Sequence, residues 1–140
     1  MAQRSRGWCI TLNGQNAATW RATWTSLAAV TSSTFSVAQL EQGAQGGNVH
    51  VQAFLYYENA RAFTSVKNAF GHLNPHIEAA KGSIEENVAY CTKADTRVAG
   101  TQPKWWCTKK EMEYYIRLFD FSLFTTDDAS IPLTVAPRSL

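Results

Sequence analysis

Residues 50 to 57, His-Val-Gln-Ala-Phe-Leu-Tyr-Tyr, constrain this chain more than any other segment. Successive side chains of a strand point to opposite faces, so His50, Gln52, Phe54 and Tyr56 share one side and Val51, Ala53, Leu55 and Tyr57 the other. The second set makes a core face. The first sets an imidazole and an amide next to each other on the side away from that core. Shifting the strand by one residue would bury both polar groups and expose the aliphatic ones, so the segment demands a sheet with one packed face and one face free for chemistry.

Neighbouring segments supply the partners. Residues 7–13, GWCITLN, alternate Trp8, Ile10 and Leu12 with Cys9, Thr11 and Asn13 and read as a first strand. Residues 16–30 set Trp20, Trp24, Leu27 and Ala28 at helical spacing behind Asn16, a candidate cap. A second strand over 33–42 is followed by GAQGGN, whose glycines turn the chain into the third strand and bring Glu41 close to His50. A short helix over 63–70 and a strand over 75–81 come next. Residues 82–94 then open a helix with Ser83 and Glu86 at capping-box spacing. This order predicts an α+β fold, a central antiparallel sheet with helices on one face in the ferredoxin-like split βαβ arrangement.

A length of 140 residues allows one main domain. Hydrophobic residues at 45% and aromatics at 12% mark an ordered globular chain, and no apolar run is long enough for a bilayer span or a signal peptide. A soluble, intracellular protein without a membrane partner is expected. Cys9, Cys91 and Cys107 have no C-x-x-C spacing and read as reduced thiols. A net charge of +2 is too small for a protein that coats duplex DNA, so any nucleic-acid site must be local. Past Arg97 the pattern weakens. The domain is bounded at 1–104, and 105–140 forms an extension: an aromatic-rich part with a helix, a candidate for packing on the domain or for self-association, then a loose tail over 125–140.

Glu41, His50 and Gln52 together offer a carboxylate, an imidazole nitrogen and an amide oxygen, a donor set suited to Mg²⁺ or Mn²⁺. An isolated H-x-Q recurs by chance and carries little on its own. Its weight rises with Tyr90 and Lys93, three residues apart on one face of the capped helix. A phenol is scarcely ionised at neutral pH, so Tyr90 as a nucleophile needs a nearby cation and a base or positive charge, which the metal set and Lys93 would provide. Attack on a phosphodiester would leave a phosphotyrosine and a 3′ hydroxyl, storing the bond for rejoining.

Three segments in this order, WCITLN, HVQ and YCTK, resemble the motifs of replication initiator proteins (Rep) of small circular single-stranded DNA viruses, within the HUH endonuclease superfamily. The circovirus and nanovirus branches are the most similar, and HIEAAKGSIEENVAYCTK extends the likeness over consecutive residues, so that it covers roughly 7–100. The resemblance implies that His50 and Gln52 are metal ligands, that Tyr90 is the nicking tyrosine, and that Glu41 is the acidic ligand, with Glu78 as its competitor. It also implies DNA contacts from Thr11 and Asn13. His76 and Glu78 share a strand face and are either structural or DNA-facing, while Arg4, Arg6, Lys67 and Lys81 are candidate phosphate contacts. The implied activity is nicking and rejoining of single-stranded DNA at a viral stem-loop origin in the host nucleus, to start rolling-circle replication. Family members normally continue into a helicase domain, and no G-x-x-x-x-G-K-[ST] loop occurs in this sequence.

A second class competes. AFLYY (53–57) fits the end of an RNA-recognition signature, and a passive single-strand binder of that kind also presents an open four-stranded sheet. Its departures from that signature fall on His50, Val51 and Gln52.

Overall fold

In a computed structural model that describes residues 3–43 and 46–119, the chain forms a five-stranded antiparallel sheet with four α-helices. The elements run β1 (Arg4–Asn13), α1 (Trp20–Thr31), β2 (Phe35–Glu41), β3 (His50–Ala62), α2 (Phe63–Ala69), β4 (His76–Ala79), α3 (Ile84–Cys91), β5 (Lys104–Cys107) and α4 (Glu113–Phe119). Strand order is β4-β1-β3-β2-β5, so the first six elements make the expected split βαβ core.

Helices α1 and α2 cover one face of this core. Trp8, Ile10 and Leu12 of β1, Val51, Ala53, Leu55 and Tyr57 of β3, and Trp20, Trp24, Leu27, Val66 and Phe70 of the helices pack there as a single cluster. The even–odd split read from 50–57 thus holds on its core side. Asn16 does cap, but one turn early: its Oδ1 accepts from the backbone N–H groups of Ala18 and Thr19, and the α-helix itself starts at Trp20.

The opposite face is open only toward the His50 end. Farther along, Phe54 lies in a second cluster with Phe35, Val37, Trp105 and Cys107 of the sheet and Val88, Cys91 and Ile116 of α3 and α4. A period-two pattern assigns Phe54 to a face without saying what later lands on it. The burial of Phe54, 1% exposed, removes the aromatic platform that a passive RNA-recognition sheet would use.

Helix α3 begins as the sequence signals. Ser83 Oγ accepts from the Glu86 backbone N–H at 3.0 Å and Glu86 Oε1 accepts from the Ser83 N–H at 2.7 Å. Gly82 enters this cap at φ +80, and a Cβ there would stand 2.6 Å from Glu86 Oε1. The helix ends at Cys91, three residues before the expected 94. Carbonyls at and just past this end find side chains instead of another turn: Thr92 Oγ1 donates to Val88 O, Arg97 Nη2 to Thr92 O, and Gln39 Nε2 to Lys93 O.

Residues 104–107 join the sheet as β5 along β2, with Phe35 opposite Cys107 and Val37 opposite Trp105. The boundary expected at 104 therefore runs through a strand, and the expected helix in the aromatic stretch is α4, which packs on the domain through Ile116. The tail over 125–140 lies outside the described residues. Trp105 is fully buried between Phe35 and α4. Trp105→Ala is expected to cost about 3–5 kcal/mol of unfolding free energy in urea titrations. A loss below about 1 kcal/mol would show that β5 does not belong to the folded core.

Candidate active site

Register builds the site. Three rows cross the face opposite α1 and α2: Asn13, His50 and Glu41; then His76, Thr11, Gln52 and Gln39; then Glu78, Cys9, Phe54 and Val37. The first two rows carry the polar groups of the site, and α3 lies over Cys9, Phe54 and Val37 of the third.

Glu41 is 3% exposed and sits directly across from His50 on the neighbouring strand. Its Oε1 is 3.4 Å from His50 Nε2, and its Oε2 accepts from Gln39 Nε2 at 2.8 Å and lies 3.8 Å from Lys93 Nζ. A carboxylate taken out of water with one neutral hydrogen bond and two loose ion contacts retains a strong demand for positive charge. On the other side, His50 Nδ1 is 3.3 Å from Asn48 O, a contact whose donor depends on the tautomer. With the proton on Nδ1 the Nε2 lone pair faces Glu41 Oε1 and a cation fits between them; with it on Nε2 the imidazole donates to Glu41.

Gln52, also buried, has its amide fixed from both ends: Nε2 donates to Ile10 O at 3.3 Å, and Oε1 accepts from Thr11 Oγ1 at 3.0 Å. One lone pair of Oε1 remains for another partner. Imidazole, carboxylate and amide oxygen on adjacent strands fit a small divalent cation that accepts mixed N and O donors. Among the described residues no three His, Cys, Asp or Glu gather in such a cluster, and an amide is the third donor here.

Tyr90, on the last turn of α3, is 53% exposed, and Lys93 Nζ stands 3.7 Å from its ring centroid. The pair meets as the sequence spacing implied, although Lys93 lies beyond the helix end and is held there by Gln39 rather than by a helical hydrogen bond. The same ammonium contacts Glu41, so one contact chain runs from Tyr90 through Lys93 and Glu41 to His50.

Other expected residues fall farther out. Asn13 is exposed across from His50, and Thr11 orients Gln52. Glu78 sits on β4, separated from β3 by β1, and pairs with His76 at 3.5 Å in solvent; geometry brings Glu41, not Glu78, to His50. Arg4, Arg6 and Lys81 are exposed at the other end of β1 and β4, and Lys67 is on α2, behind the sheet. Sequence reasoning passed over Gln39 and Arg97, which bind each other through Arg97 Nε and Gln39 Oε1 at 2.8 Å. Gln39 shares the parity of Glu41 in a strand otherwise apolar around it, a signal that was there to be used.

Next to Tyr90, burial pushes the Cys91 thiol well up, with Cys9 and Glu41 adding to the rise and Lys93 opposing it. A thiol so placed keeps its proton and makes no nucleophile. In the unfolded chain it ionises near the ordinary 9.0, so its contribution to stability is intact below that pH and is lost as pH rises from there toward the folded value. Unfolding free energies measured from pH 8 to 10.5 are expected to fall more steeply for the wild type than for Cys91→Ala. Parallel slopes would contradict the buried, protonated thiol.

The sequence model of the family described as "Putative viral replication protein" matches residues 5–94. Para-Rep C1 of Faba bean necrotic yellows C1 alphasatellite is 42% identical over 59 residues, covering 42% of this chain and 21% of that protein. Para-Rep C9 of Faba bean necrotic yellows C9 alphasatellite is 45% identical over 51 residues, 36% of this chain and 18% of its own length. The Master replication protein of Banana bunchy top virus is 36% identical over 66 residues, 47% of this chain and 22% of its own. The matched segments thus span about a fifth of these relatives. With the family model covering most of the described fold, the chain belongs to the viral replication protein family, the Rep group toward which its three motifs point.

Proposed function

We propose that this domain is a metal-dependent, sequence-specific endonuclease that nicks and rejoins single-stranded DNA through a covalent 5′-phosphotyrosine. The contact chain from Tyr90 through Lys93 and Glu41 to His50 is the observation that carries the reading, because it ties a nucleophile to a cation-seeking donor set. Glu41, His50 and Gln52 would hold Mg²⁺ or Mn²⁺, which when bound draws negative charge from the scissile phosphodiester.

Tyr90 Oη attacks phosphorus, and the bond to the 3′ oxygen breaks. The phenolic proton is given up as the phosphotyrosine forms, and the departing oxygen takes a proton to become a 3′ hydroxyl. Lys93, against the Tyr90 ring, supplies positive charge where the phenolate and the phosphate develop theirs. Rejoining is the reverse: a 3′ hydroxyl attacks the phosphotyrosine and Tyr90 leaves. The exposed ring of Tyr90 lets a strand reach it without opening the core. In the wider setting, the proposal puts the substrate at a viral stem-loop origin during rolling-circle replication in the host nucleus, with the names of the replication-protein relatives and this chain's own motifs as its support. No helix among the described residues is long and apolar enough to cross a membrane.

Incubation with labelled single-stranded oligonucleotides carrying stem-loop origins, with Mn²⁺ or with chelator, is expected to give a denaturant-resistant adduct that mass spectrometry places on Tyr90. Chelator is expected to abolish it. Tyr90→Phe is expected to lose the adduct by at least 10³-fold while DNA affinity stays within about threefold of wild type, since only the attacking oxygen is removed. Cleavage by the phenylalanine variant, or binding without any adduct across diverse origins, would refute the nickase.

A further inference from the structure

We infer that Gln39 is a positioning residue that aligns the metal donors with the tyrosine helix, and that Arg97 holds Gln39 in the orientation this requires; the inference rests on Glu41 being a metal ligand. Gln39 is completely buried in β2. Both its N–H groups and one oxygen lone pair are engaged: Nε2 donates to Glu41 Oε2 and to Lys93 O, both at 2.8 Å, and Oε1 accepts from Arg97 Nε at 2.8 Å. Arg97 Nη2 in turn donates to Thr92 O at 2.6 Å.

An amide can be turned end for end with little change of shape. Turned the other way, Gln39 would aim its oxygen at a carboxylate and a carbonyl, both acceptors. Arg97 prevents this, because a guanidinium has donors only and can therefore donate to the amide oxygen but not pair with the amide NH2. The backbone keeps Arg97 in place: it bridges Glu41 in antiparallel fashion, while Val98 N donates to Leu40 O and Gln42 N donates to Thr96 O.

Two consequences meet at one side chain. With Oε2 of Glu41 committed to Gln39, Oε1 is the oxygen left to face His50 Nε2. With the Lys93 carbonyl committed to the same amide, the Lys93 side chain is positioned to reach both Glu41 and the Tyr90 ring. One proposed metal donor, Glu41, and the lysine that lies against the nucleophile hang from a single buried amide. Arg97 lies beyond the segment that the family model matches, so this clamp adds to the motif residues.

Gln39→Met and Arg97→Met, singly and together, test this in the 140-residue chain. The readouts are Mn²⁺ titration by electron paramagnetic resonance without DNA, and hydrogen exchange of the Thr92–Val98 backbone without metal. Gln39→Met is expected to raise the half-saturating Mn²⁺ about tenfold or more, the scale of losses seen when groups behind metal ligands are removed. Arg97→Met should raise it too, and the double variant should be no worse than Gln39→Met alone, because Arg97 acts through Gln39. Exchange over Thr92–Val98 should quicken in each.

Folded variants that bind Mn²⁺ like the wild type would overturn the inference alone, even where exchange quickens, since that pattern is a purely structural role. A wild-type chain that takes up no Mn²⁺ would overturn the metal reading with it. Should Gln39→Met fail to fold, Arg97→Met, at a half-exposed position, decides by the same Mn²⁺ criterion.

Discussion

The antiparallel register of β2 on β3 is the constraint on which the rest depends. It sets Glu41 opposite His50 and Gln39 opposite Gln52, while Ala38 and Leu40 meet Ala53 and Val51 on the packed side. A slip of β2 by one residue would put a carboxylate and an amide, Glu41 and Gln39, into the α1/α2 core and turn Ala38 and Leu40 out, so hydrophobic packing on one face enforces the polar geometry of the other. No separate device is needed to bring the donors together. The same rule extends through β1, whose Thr11 holds Gln52 while Ile10 and Leu12 stay in the core.

A buried carboxylate is costly, and the fold meets that cost only in part. Glu41 has a hydrogen bond from Gln39 and stands near two cationic or potentially cationic groups, His50 and Lys93, at distances longer than a hydrogen bond. Networks of this kind specify geometry when every member is satisfied and favour a further ligand when one member is not. Gln39, Arg97 and Thr11 are satisfied; Glu41 and the Nε2 of His50 are the groups left wanting. That distribution of demand supports the proposed cation site, which lies at the end of the helix that carries Tyr90.

Much of this was legible along the chain. Alternation in 50–57 and 7–13 told which side chains share a face, and the Ser83–Glu86 spacing told where the tyrosine helix starts, because both are local rules with periods of two and of one helical turn. What escaped was non-local. Strand β5 has only four residues and pairs with a strand some seventy residues earlier, so no turn signal announces it. Phe54 looked like a residue of the open face until α3 came down on it. The early end of α3 likewise goes with Gln39 and Arg97, whose side chains take the carbonyls of Lys93 and Thr92 just past the helix. Glu41 was the favoured acidic ligand and Glu78 its competitor, and the order of strands in the sheet sets only Glu41 beside His50.

Crystals soaked in Mn²⁺ and measured at an anomalous wavelength would test most directly whether these residues form one metal and tyrosine site. The account predicts a single strong peak bonded to Glu41, His50 Nε2 and Gln52 Oε1, beside Lys93 and within reach of the Tyr90 hydroxyl. A peak at His76 and Glu78 instead, or none at millimolar Mn²⁺, would contradict it.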